Sequence, residues 1–411
     1  MRLRKSGHIA YFAGGCVRDF LLGNDPKDFD VATDAPPARV QQLFRNTQAV
    51  GAAFGVILVR LGGSQIEVAT FRAEAGYDDG RHPTHVRFTT AEEDARRRDF
   101  TINGLFFDPV AEKVIDYVGG ETDLANRTLR AIGSPAERFG EDSLRLLRAV
   151  RFSARLGFQI ESATADAIRN HAPELARISP ERIADELRRM LTPVTRNAAW
   201  QMLWDLKLME VVFRFLKVNA RPLDPSATML FPRVAASLPI NFGLALAAAV
   251  VCYRLRIDTS LTDVRELFTN DDVARAVRAL RQSLKISNDE RDVLAETLAG
   301  LDPLLCDEFP RVAVMKRFLA KPTQAESVAL LEALRSVGHC VSRADQLLPK
   351  FAELLDGEVA PPPFITGDDL TALGMKPGPS FKRILDDVYD AQLELRIDSK
   401  AAAIEMARSM A

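Results

Sequence analysis

The sequence predicts an α+β protein in which a small head, containing the strands, precedes an elongated all-α region. Segments with alternating or β-branched patterns are confined to residues 8–117, whereas helical periodicity prevails from about residue 134 onward. At roughly 100–200 residues per domain, the length of 411 residues suggests two to four domains. With 47% hydrophobic residues, the chain can bury a sizeable core.

Short elements that follow one another closely make up the predicted head. A helix from Cys16 to Leu22 ends at Gly23, a usual C-terminal glycine, and a second helix opened by Pro36-Pro37 runs to about Phe44. The segments predicted as strands are HIAYFAGG, DFDVAT, GVILVRL, QIEVATF, HVRFTT and VIDYVGG, with Gly-Gly-Ser joining the third to the fourth and a helix beginning at AEEDARRRD.

Beyond the head, the pattern is helical. SPAERF and SPERIADELRRML both begin with Ser-Pro, a pair suited to an N-cap and a first turn. Amphipathic segments continue to the C-terminus, and residues 360–363, APPP, are the clearest linker.

Composition excludes several classes of protein. The net charge of −2 excludes a uniformly basic nucleic-acid binder, although it leaves room for local basic patches. The four cysteines are far apart and form no CxxC pair, so we expect a reduced, cytoplasmic protein without a zinc site or disulfide scaffold. The N-terminus has no signal-type apolar core, and the apolar stretch Phe242–Cys252 is too short to span a bilayer.

Asp28 and Asp30 are candidate metal ligands. Residues two apart on a strand point to the same face, where two carboxylates repel each other unless a cation neutralises them. Mg²⁺ prefers one or two carboxylates together with substrate phosphates. A strand face with two solvated charges is the alternative.

Neighbouring residues favour the metal site. Gly14-Gly15 falls at a strand-to-helix turn, where backbone N–H groups can approach phosphate, and Arg18 follows one turn later. Glu67, between Ile66 and Val68, is a candidate third carboxylate on the same face. Together these features indicate metal-assisted nucleotidyl transfer, while the absence of GxGxxG and GxxxxGK[ST] disfavours dinucleotide and P-loop folds.

These residues resemble the opening motif of class II tRNA nucleotidyltransferases and bacterial poly(A) polymerases, which have a polymerase-β-like nucleotidyltransferase head. The likeness is strong over residues 8–190 and rests on four ordered motifs: Gly14-Gly15, Arg18-Asp19 and Asp28-x-Asp30; Arg97-Arg98-Asp99-Phe100-Thr101-Ile102-Asn103; Glu141-Asp142-Ser143-Leu144-Arg145; and Glu181-Arg182-Ile183 with Glu186. It implies that Asp28 and Asp30 bind Mg²⁺, which activates an RNA 3′-hydroxyl and stabilises the leaving pyrophosphate.

Considered alone, the basic cluster Arg96–Asp99 predicts a helix face exposed to solvent. Because it leads into an apolar segment, it is also compatible with the wall of a cleft. The resemblance implies that Arg97, Arg98, Asp99 and Asn103 contact the ribose and triphosphate. An aspartate that accepts from the 2′-hydroxyl selects ribonucleotides.

Asp142 and Arg145, near the start of the predicted helix EDSLRLLRAVRF, are three residues apart and are therefore expected to be surface neighbours. Cytosine and adenine each present an amino donor beside a ring-nitrogen acceptor, whereas guanine and uracil present a carbonyl beside a ring N–H. One aspartate and one arginine can therefore form hydrogen bonds with C and with A. With G or U, the mismatched buried groups would cost about 2–6 kcal/mol of binding free energy. The resemblance implies this selecting role, with Arg148, Arg151 and Arg182 as further nucleotide contacts. A weak surface ion pair is the alternative.

The motifs are shared by CCA addition and poly(A) synthesis. Poly(A) polymerases typically carry a basic pair soon after the metal motif, and the corresponding stretch VGAAFGV has none. The segment Arg72–Pro83 resembles the loop with which the family switches from C to A, and residues 364–400 resemble the tail of CCA-adding enzymes. We therefore expect a CTP- and ATP-using enzyme that acts on the tRNA 3′ end, with poly(A) polymerase and addition of only the terminal A as alternatives.

The resemblance also divides the chain by function. We predict a catalytic head at residues 1–133 and a nucleotide-selecting helical neck at residues 134–195. An RNA-binding body at residues 196–310 and a tRNA-binding tail at residues 311–411 follow, with no obligate protein partner implied.

Overall fold

The computed structural model describes residues 1–26, 28–49, 55–75, 85–216, 230–236, 239, 241–257, 263–376 and 378–410. The chain forms two compact units, Met1–Arg214 and Phe215–Ala411. Among the described residues every strand lies in the first unit, and the second unit is helical. The predicted α+β class with a mixed-sheet head and a helical remainder is therefore confirmed. The finer four-part division stays a prediction.

A mixed sheet of seven strands, in the order β3-β4-β5-β2-β1-β8-β9, forms the centre of the first unit. The strands are β1 (Ala10–Ala13), β2 (Asp30–Thr33), β3 (Thr47–Ala49), β4 (Val56–Leu61), β5 (Ser64–Thr70), β6 (Arg72–Ala75), β7 (His85–Phe88), β8 (Phe106–Asp108), β9 (Lys113–Ile115), β10 (Thr128–Leu129) and β11 (Gln159–Ile160). Strands β6 and β7 form a separate antiparallel pair, and β10 and β11 a parallel one.

The centre of the sheet aligns two acidic residues. Strand β2 is parallel to β5, and their register sets Asp30 directly opposite Glu67. Side chains opposite each other on neighbouring strands share a face. Strand β5 follows β4 through a hairpin whose turn is Gly62-Gly63, at φ 57° and 84°. Two consecutive positive φ angles suit glycine, and Ser64 already belongs to the strand.

Both faces of the sheet are packed. One face carries the buried residues Ala10, Ile57, Val59 and Val68 under the N-terminal helices, and the other carries a cluster that includes Phe71 and Phe106. The helices of the first unit are α1 (Arg2–Lys5), α2 (Gly15–Leu21), α3 (Pro37–Leu43), α4 (Ala91–Arg96), α5 (Gly120–Ala125), α6 (Pro135–Glu141), α7 (Leu144–Leu156), α8 (Ser162–His171), α9 (Pro180–Met190), α10 (Arg196–Asp205) and α11 (Met209–Val212), with 3-10 turns at Thr101–Asn103 and Ala172–Arg177.

Predictions about two segments that line the cleft were wrong. Strand β2 begins at Asp30, so Asp28 lies in the preceding bend and the same-face argument does not apply to it. The helix predicted from Glu141 is broken, because α6 ends at Glu141 and Asp142 adopts an extended conformation (φ −147°, ψ 102°) before α7 begins at Leu144. The Asp142 carboxylate accepts a hydrogen bond from the Leu144 N–H at 3.0 Å, and so satisfies a donor that the helix start leaves open.

The second unit contains the remaining helices. They are α12 (Leu230–Ala235), α13 (Phe242–Ile257), α14 (Asn270–Ser283), α15 (Asn288–Ala299), α16 (Asp302–Leu305), α17 (Val312–Leu319), α18 (Gln324–Ser336), α19 (Val341–Leu355), α20 (Gly367–Ala372), α21 (Pro379–Leu393) and α22 (Lys400–Ser409), with a 3-10 turn at Val264–Phe268. The last three helices share a core that includes Ile365, Leu370, Ile384 and Val388. No helix in the described residues has the length and apolar character needed to cross a bilayer.

Candidate active site

A cleft of about 1050 Å³ opens in the first unit. All fifteen site residues predicted from the sequence line it: Gly14, Gly15, Arg18, Asp28, Asp30, Glu67, Arg97, Arg98, Asp99, Asn103, Asp142, Arg145, Arg148, Arg151 and Arg182. The acidic residues near the start of the chain therefore share one cavity with the start of helix α7. This arrangement required the chain to bring together residues that are more than 100 positions apart.

The carboxylates of Asp28, Asp30 and Glu67 are exposed to the cleft. Partial desolvation by the cleft walls raises the pKa of Asp30, and repulsion from Glu67 and Asp28 adds to the rise, while Arg98 opposes it. Unbalanced negative charge of this kind is what a bound cation relieves.

The residues present fit a divalent cation that is completed by substrate. Within the described ranges, no three acidic, histidine or cysteine side chains are arranged to hold a metal ion by themselves. A small divalent cation needs only one or two carboxylates when phosphate oxygens supply further ligands. Asp28 and Asp30 meet that requirement.

Gly14 joins the glycine motif to the basic motif. Its φ is 71°, and a Cβ atom at this position would lie 2.8 Å from Nη1 of Arg98. A side chain would therefore be strained by the backbone and would also displace the Arg98 guanidinium. The glycine allows Arg98 to approach the turn between β1 and α2.

Arg18 is almost fully buried and is held by side chains from two segments. Its Nη1 donates to Oδ1 of Asn103 at 2.7 Å, and its Nε donates to Oδ1 of Asp19 at 2.8 Å. The guanidinium carbon also lies 5.3 Å from the ring centroid of Phe152 on α7. Arg18 thus connects helix α2 to the segment of Asn103 and to α7 beneath the cleft.

Asp99 is a buried carboxylate whose acceptor positions are all filled. Oδ1 accepts from the Phe100 N–H at 2.9 Å and from Nδ2 of Asn103 at 3.0 Å. Oδ2 accepts from Nε and Nη2 of Arg148 at 2.9 and 2.7 Å. Because a carboxylate offers about four lone-pair positions, a ribose hydroxyl can bond to Asp99 only after one of these donors moves away.

Asp142 and Arg145 line the cleft but have separate partners. Oδ2 of Asp142 accepts from Nη2 of Arg182 at 2.7 Å. Nη1 of Arg145 donates to Oε2 of Glu141 at 2.5 Å and to the Arg138 carbonyl at 2.8 Å. The expectation of surface neighbours was wrong, since Arg145 is buried and Asp142 lies outside the helix.

One aromatic ring lies among three arginines of the cleft. The guanidinium carbons of Arg18, Arg148 and Arg151 lie 5.3, 5.2 and 4.4 Å from the Phe152 centroid. Arg151 also lies 2.7 Å from Oε2 of the buried Glu186. The ring face attracts cations and offsets part of the repulsion among these like charges.

Comparison with known proteins identifies the family of this chain. A family model described as "Poly A polymerase head domain" matches residues 10–130, and one described as "Probable RNA and SrmB- binding site of polymerase A" matches residues 157–219. A CCA-adding enzyme of Streptococcus mutans is 31% identical over 393 residues, which cover 94% of this chain and 89% of that protein. The chain belongs to the class II CCA-adding enzyme family.

Solved structures of this family have the same fold. A Bacillus stearothermophilus CCA-adding enzyme in complex with CTP aligns with a TM-score of 0.70 and 27% identity, over 99% of this chain and 95% of that chain. A Thermotoga maritima CCA-adding enzyme complexed with tRNA aligns with a TM-score of 0.64 and 19% identity, over 99% and 92% of the two chains. The predicted family and its fold are confirmed.

Several residues that organise this cleft were not predicted as site residues. Asp94 contacts Arg97 and Arg98, Glu141 contacts Arg145, and Phe152 contacts Arg148. Each of these pairs is three or four residues apart, the spacing of neighbours on a helix, so that pattern was an available signal. The proposed C-to-A switching loop cannot be compared in the same way, because residues 76–84 lie outside the described residues.

Asp99→Asn tests the buried ion pair by its pH dependence. Burial acts to raise the pKa of Asp99, but Arg148 and Asn103 outweigh it and lower the pKa from 3.8 to about 2. The ionised carboxylate therefore stabilises the fold above about pH 4 by about 2 kcal/mol, and this contribution is lost as the pH falls towards 2. Denaturant titrations should show that the difference in free energy of unfolding between wild type and variant becomes smaller as the pH falls from about 4 to about 2. A gap that stays constant from pH 5 to pH 2.5 would contradict the assignment.

Proposed function

We propose that this chain adds or repairs the 3′-terminal CCA of tRNA from CTP and ATP, without a nucleic-acid template, by Mg²⁺-dependent nucleotidyl transfer. The observation that carries the proposal is that the acidic residues, the arginines and the start of helix α7 line one cleft. A nucleotide bound there meets both carboxylates that can hold a cation and arginines that can bind its phosphates.

In the proposed reaction, Asp28 and Asp30 hold Mg²⁺, with Glu67 beside Asp30 across the parallel strands. When bound, the ion supplies a Lewis acid that activates the RNA 3′-hydroxyl and stabilises the leaving pyrophosphate. The exposed carboxylates provide oxygen ligands without a closed cage, so phosphate oxygens of the substrate can complete the coordination.

The arginines bind the triphosphate in this proposal. Arg97 and Arg98 directly follow α4 and line the cleft, while Arg148 and Arg151 lie on α7. Guanidinium groups present forked donors that match phosphate oxygens. Because several of these groups are already held by carboxylates, they lose little conformational entropy when they bind the nucleotide.

Selection of C and A falls to Asp142 and Arg145. The carboxylate accepts from an exocyclic amino group and the guanidinium donates to the adjacent ring nitrogen. Guanine and uracil would oppose acceptor to acceptor and donor to donor, and a site built on hydrogen bonds rejects such mismatches strongly. Asp142 accepts one hydrogen bond on each carboxylate oxygen, from the Leu144 N–H and from Arg182, so it keeps acceptor positions for a base.

We also propose that the enzyme works in the cytoplasm. All four cysteines are free, which suits a reducing compartment.

The decisive experiment supplies tRNA lacking CCA to the purified protein, with CTP and ATP singly and together. We expect two cytidines from CTP alone, a complete CCA from the pair, and no extension by ATP alone. A long A ladder on unrelated RNA would instead identify a poly(A) polymerase, whose head motifs are the same. Addition of A only to tRNA ending in CC would identify the specialist that adds the terminal A.

A further inference from the structure

Asp94 is a buried acid beside the cleft that the proposed chemistry does not use. It lies on α4 and is only 2% exposed. It does not line the cleft itself, whereas Arg72, Arg97 and Arg98 do. A charged group is seldom buried without a partner, so its contacts indicate what it does.

The two carboxylate oxygens divide between the two arginines. Oδ1 accepts from Nε of Arg97 at 2.9 Å, and Nη2 of the same guanidinium lies 2.8 Å away. Oδ2 accepts from Nε and Nη2 of Arg98 at 3.2 and 3.1 Å. The N–H of Arg72, where β6 begins, donates to Oδ1 at 3.2 Å.

These contacts determine where the arginines stand. The guanidinium of Arg98 lies against Gly14. Its Nη1 donates to the Asn103 carbonyl at 3.1 Å, and its central carbon lies 5.0 Å from the Phe106 ring centroid. The side chains of Arg97 and Arg98 are 19% and 18% exposed, so each keeps a surface towards the cleft. A long flexible side chain held at one end in this way is pre-organised for a ligand.

The electrostatics agree with this geometry. Burial acts to raise the pKa of Asp94, but Arg97 and Arg98 outweigh burial and hold it below its ordinary value. The carboxylate therefore remains ionised and partly neutralises two like charges that stand side by side.

We propose that Asp94 is a positioning residue for nucleotide binding, which holds Arg97 and Arg98 on the cleft wall so that both meet the triphosphate. This inference rests on the proposed function, because it assigns those arginines to the nucleotide. The triphosphate is common to both substrates, so the effect should be the same for CTP and ATP.

Asp94→Asn removes the charge while keeping the size of the side chain. We expect KM for CTP and for ATP to rise together by about tenfold or more, because misplacing a binding group by about 1 Å can cost as much as about 10²-fold. The dissociation constant for tRNA should change by less than about twofold. Asp108→Asn is the matched control, since Asp108 is also buried and paired with an arginine, Arg4, but lies outside the cleft. In the Asp108→Asn variant, KM for CTP and for ATP should stay within about twofold of the wild-type values.

A double-mutant cycle separates positioning from a general structural role. In a protein that already carries Arg97→Ala and Arg98→Ala, Asp94→Asn should raise KM little further, because the groups it positions are gone. An additive rise, or an equal effect of Asp108→Asn, would overturn the proposal. So would an unchanged KM in the folded Asp94→Asn variant.

Two further arms keep the test decisive. If Asp94→Asn does not fold, Asp94→Glu preserves the charge and moves the carboxylate by one methylene, about 1.5 Å, which should still raise KM for both nucleotides. An unchanged KM in that variant would overturn the proposal. If the wild type does not transfer CMP or AMP, the proposed function fails instead, and tripolyphosphate binding by calorimetry then tests Asp94 independently.

Discussion

Replacing Asp28 and Asp30 together by asparagine should reduce nucleotidyl transfer by about 10³-fold or more and leave tRNA binding within about twofold. A metal ion that activates a nucleophile and a leaving group contributes several kcal/mol, and each 1.4 kcal/mol is tenfold in rate. Asparagine keeps the size of each side chain but removes the charge that draws the cation. Single-turnover transfer to tRNA, measured across a Mg²⁺ titration, reports this loss directly.

The matched control is Asp25→Asn. Asp25 is an exposed acid of the same cleft, three residues before Asp28, and has no proposed ligand role. Its replacement changes the local charge without removing a ligand, so the rate should stay within about threefold of wild type. An Asp28→Asn/Asp30→Asn protein that retained more than a tenth of the wild-type rate would refute the metal assignment. An equal loss in Asp25→Asn would attribute the effect to general charge.

Asp142→Asn should weaken the rejection of UTP and GTP by about 10²-fold while CTP and ATP remain usable at reduced efficiency. The amide can still cap α7 through its oxygen, as the carboxylate does at the Leu144 N–H, because asparagine is a favoured capping residue. What changes is the carboxylate acceptor, which becomes an amide with its own donor. A base-selecting site built on hydrogen bonds rejects the wrong substrate by about 10⁴–10⁵-fold. A loss of about 10²-fold is therefore a substantial part of the total discrimination.

Ratios of kcat/KM for the four nucleotides on tRNA lacking CCA measure that discrimination. Asp185→Asn is the control, since Asp185 on α9 forms an exposed pair with Arg188 at 2.6 Å and lies outside the cleft. Breaking an exposed pair costs little, so discrimination should not change. Unaltered rejection of UTP and GTP in Asp142→Asn would remove Asp142 from base selection.

Local patterns predicted much of the fold. The short helix after Gly14, the hairpin around Gly62-Gly63 and the helix Ala91–Arg96 follow from turn glycines, alternation and capping. The break at Asp142 could not be predicted in this way, because EDSLRLLRAVRF, residues 141–152, has the pattern of one continuous amphipathic helix. The carboxylate of Asp142 ends that continuity by bonding to the backbone and to Arg182, which lies on another helix.

Spacing within a motif identified candidate residues but assigned their partners poorly. Asp142 and Arg145 looked like a pair because they are close in sequence, yet Asp142 bonds to Arg182 and Arg145 to Glu141. Which charged groups pair in a cleft depends on their distances in three dimensions, and several partners lie within reach of each group. Spacing along the chain does not decide it, because Asp142 and Glu141 are three and four residues before Arg145 and both spacings suit neighbours on a helix.

The amino-acid sequence alone determined the class of fold, the family and fifteen of the residues that line the cleft. These depend on residue types, periodicity and ordered motifs, which are local properties of the chain. Only the tertiary structure decided that Asp30 lies opposite Glu67, that Arg148 fills the acceptors of Asp99, and that Asp94 lies beneath two arginines. Strand register and side-chain pairing are fixed by packing between distant segments, so they exist only once the chain has folded.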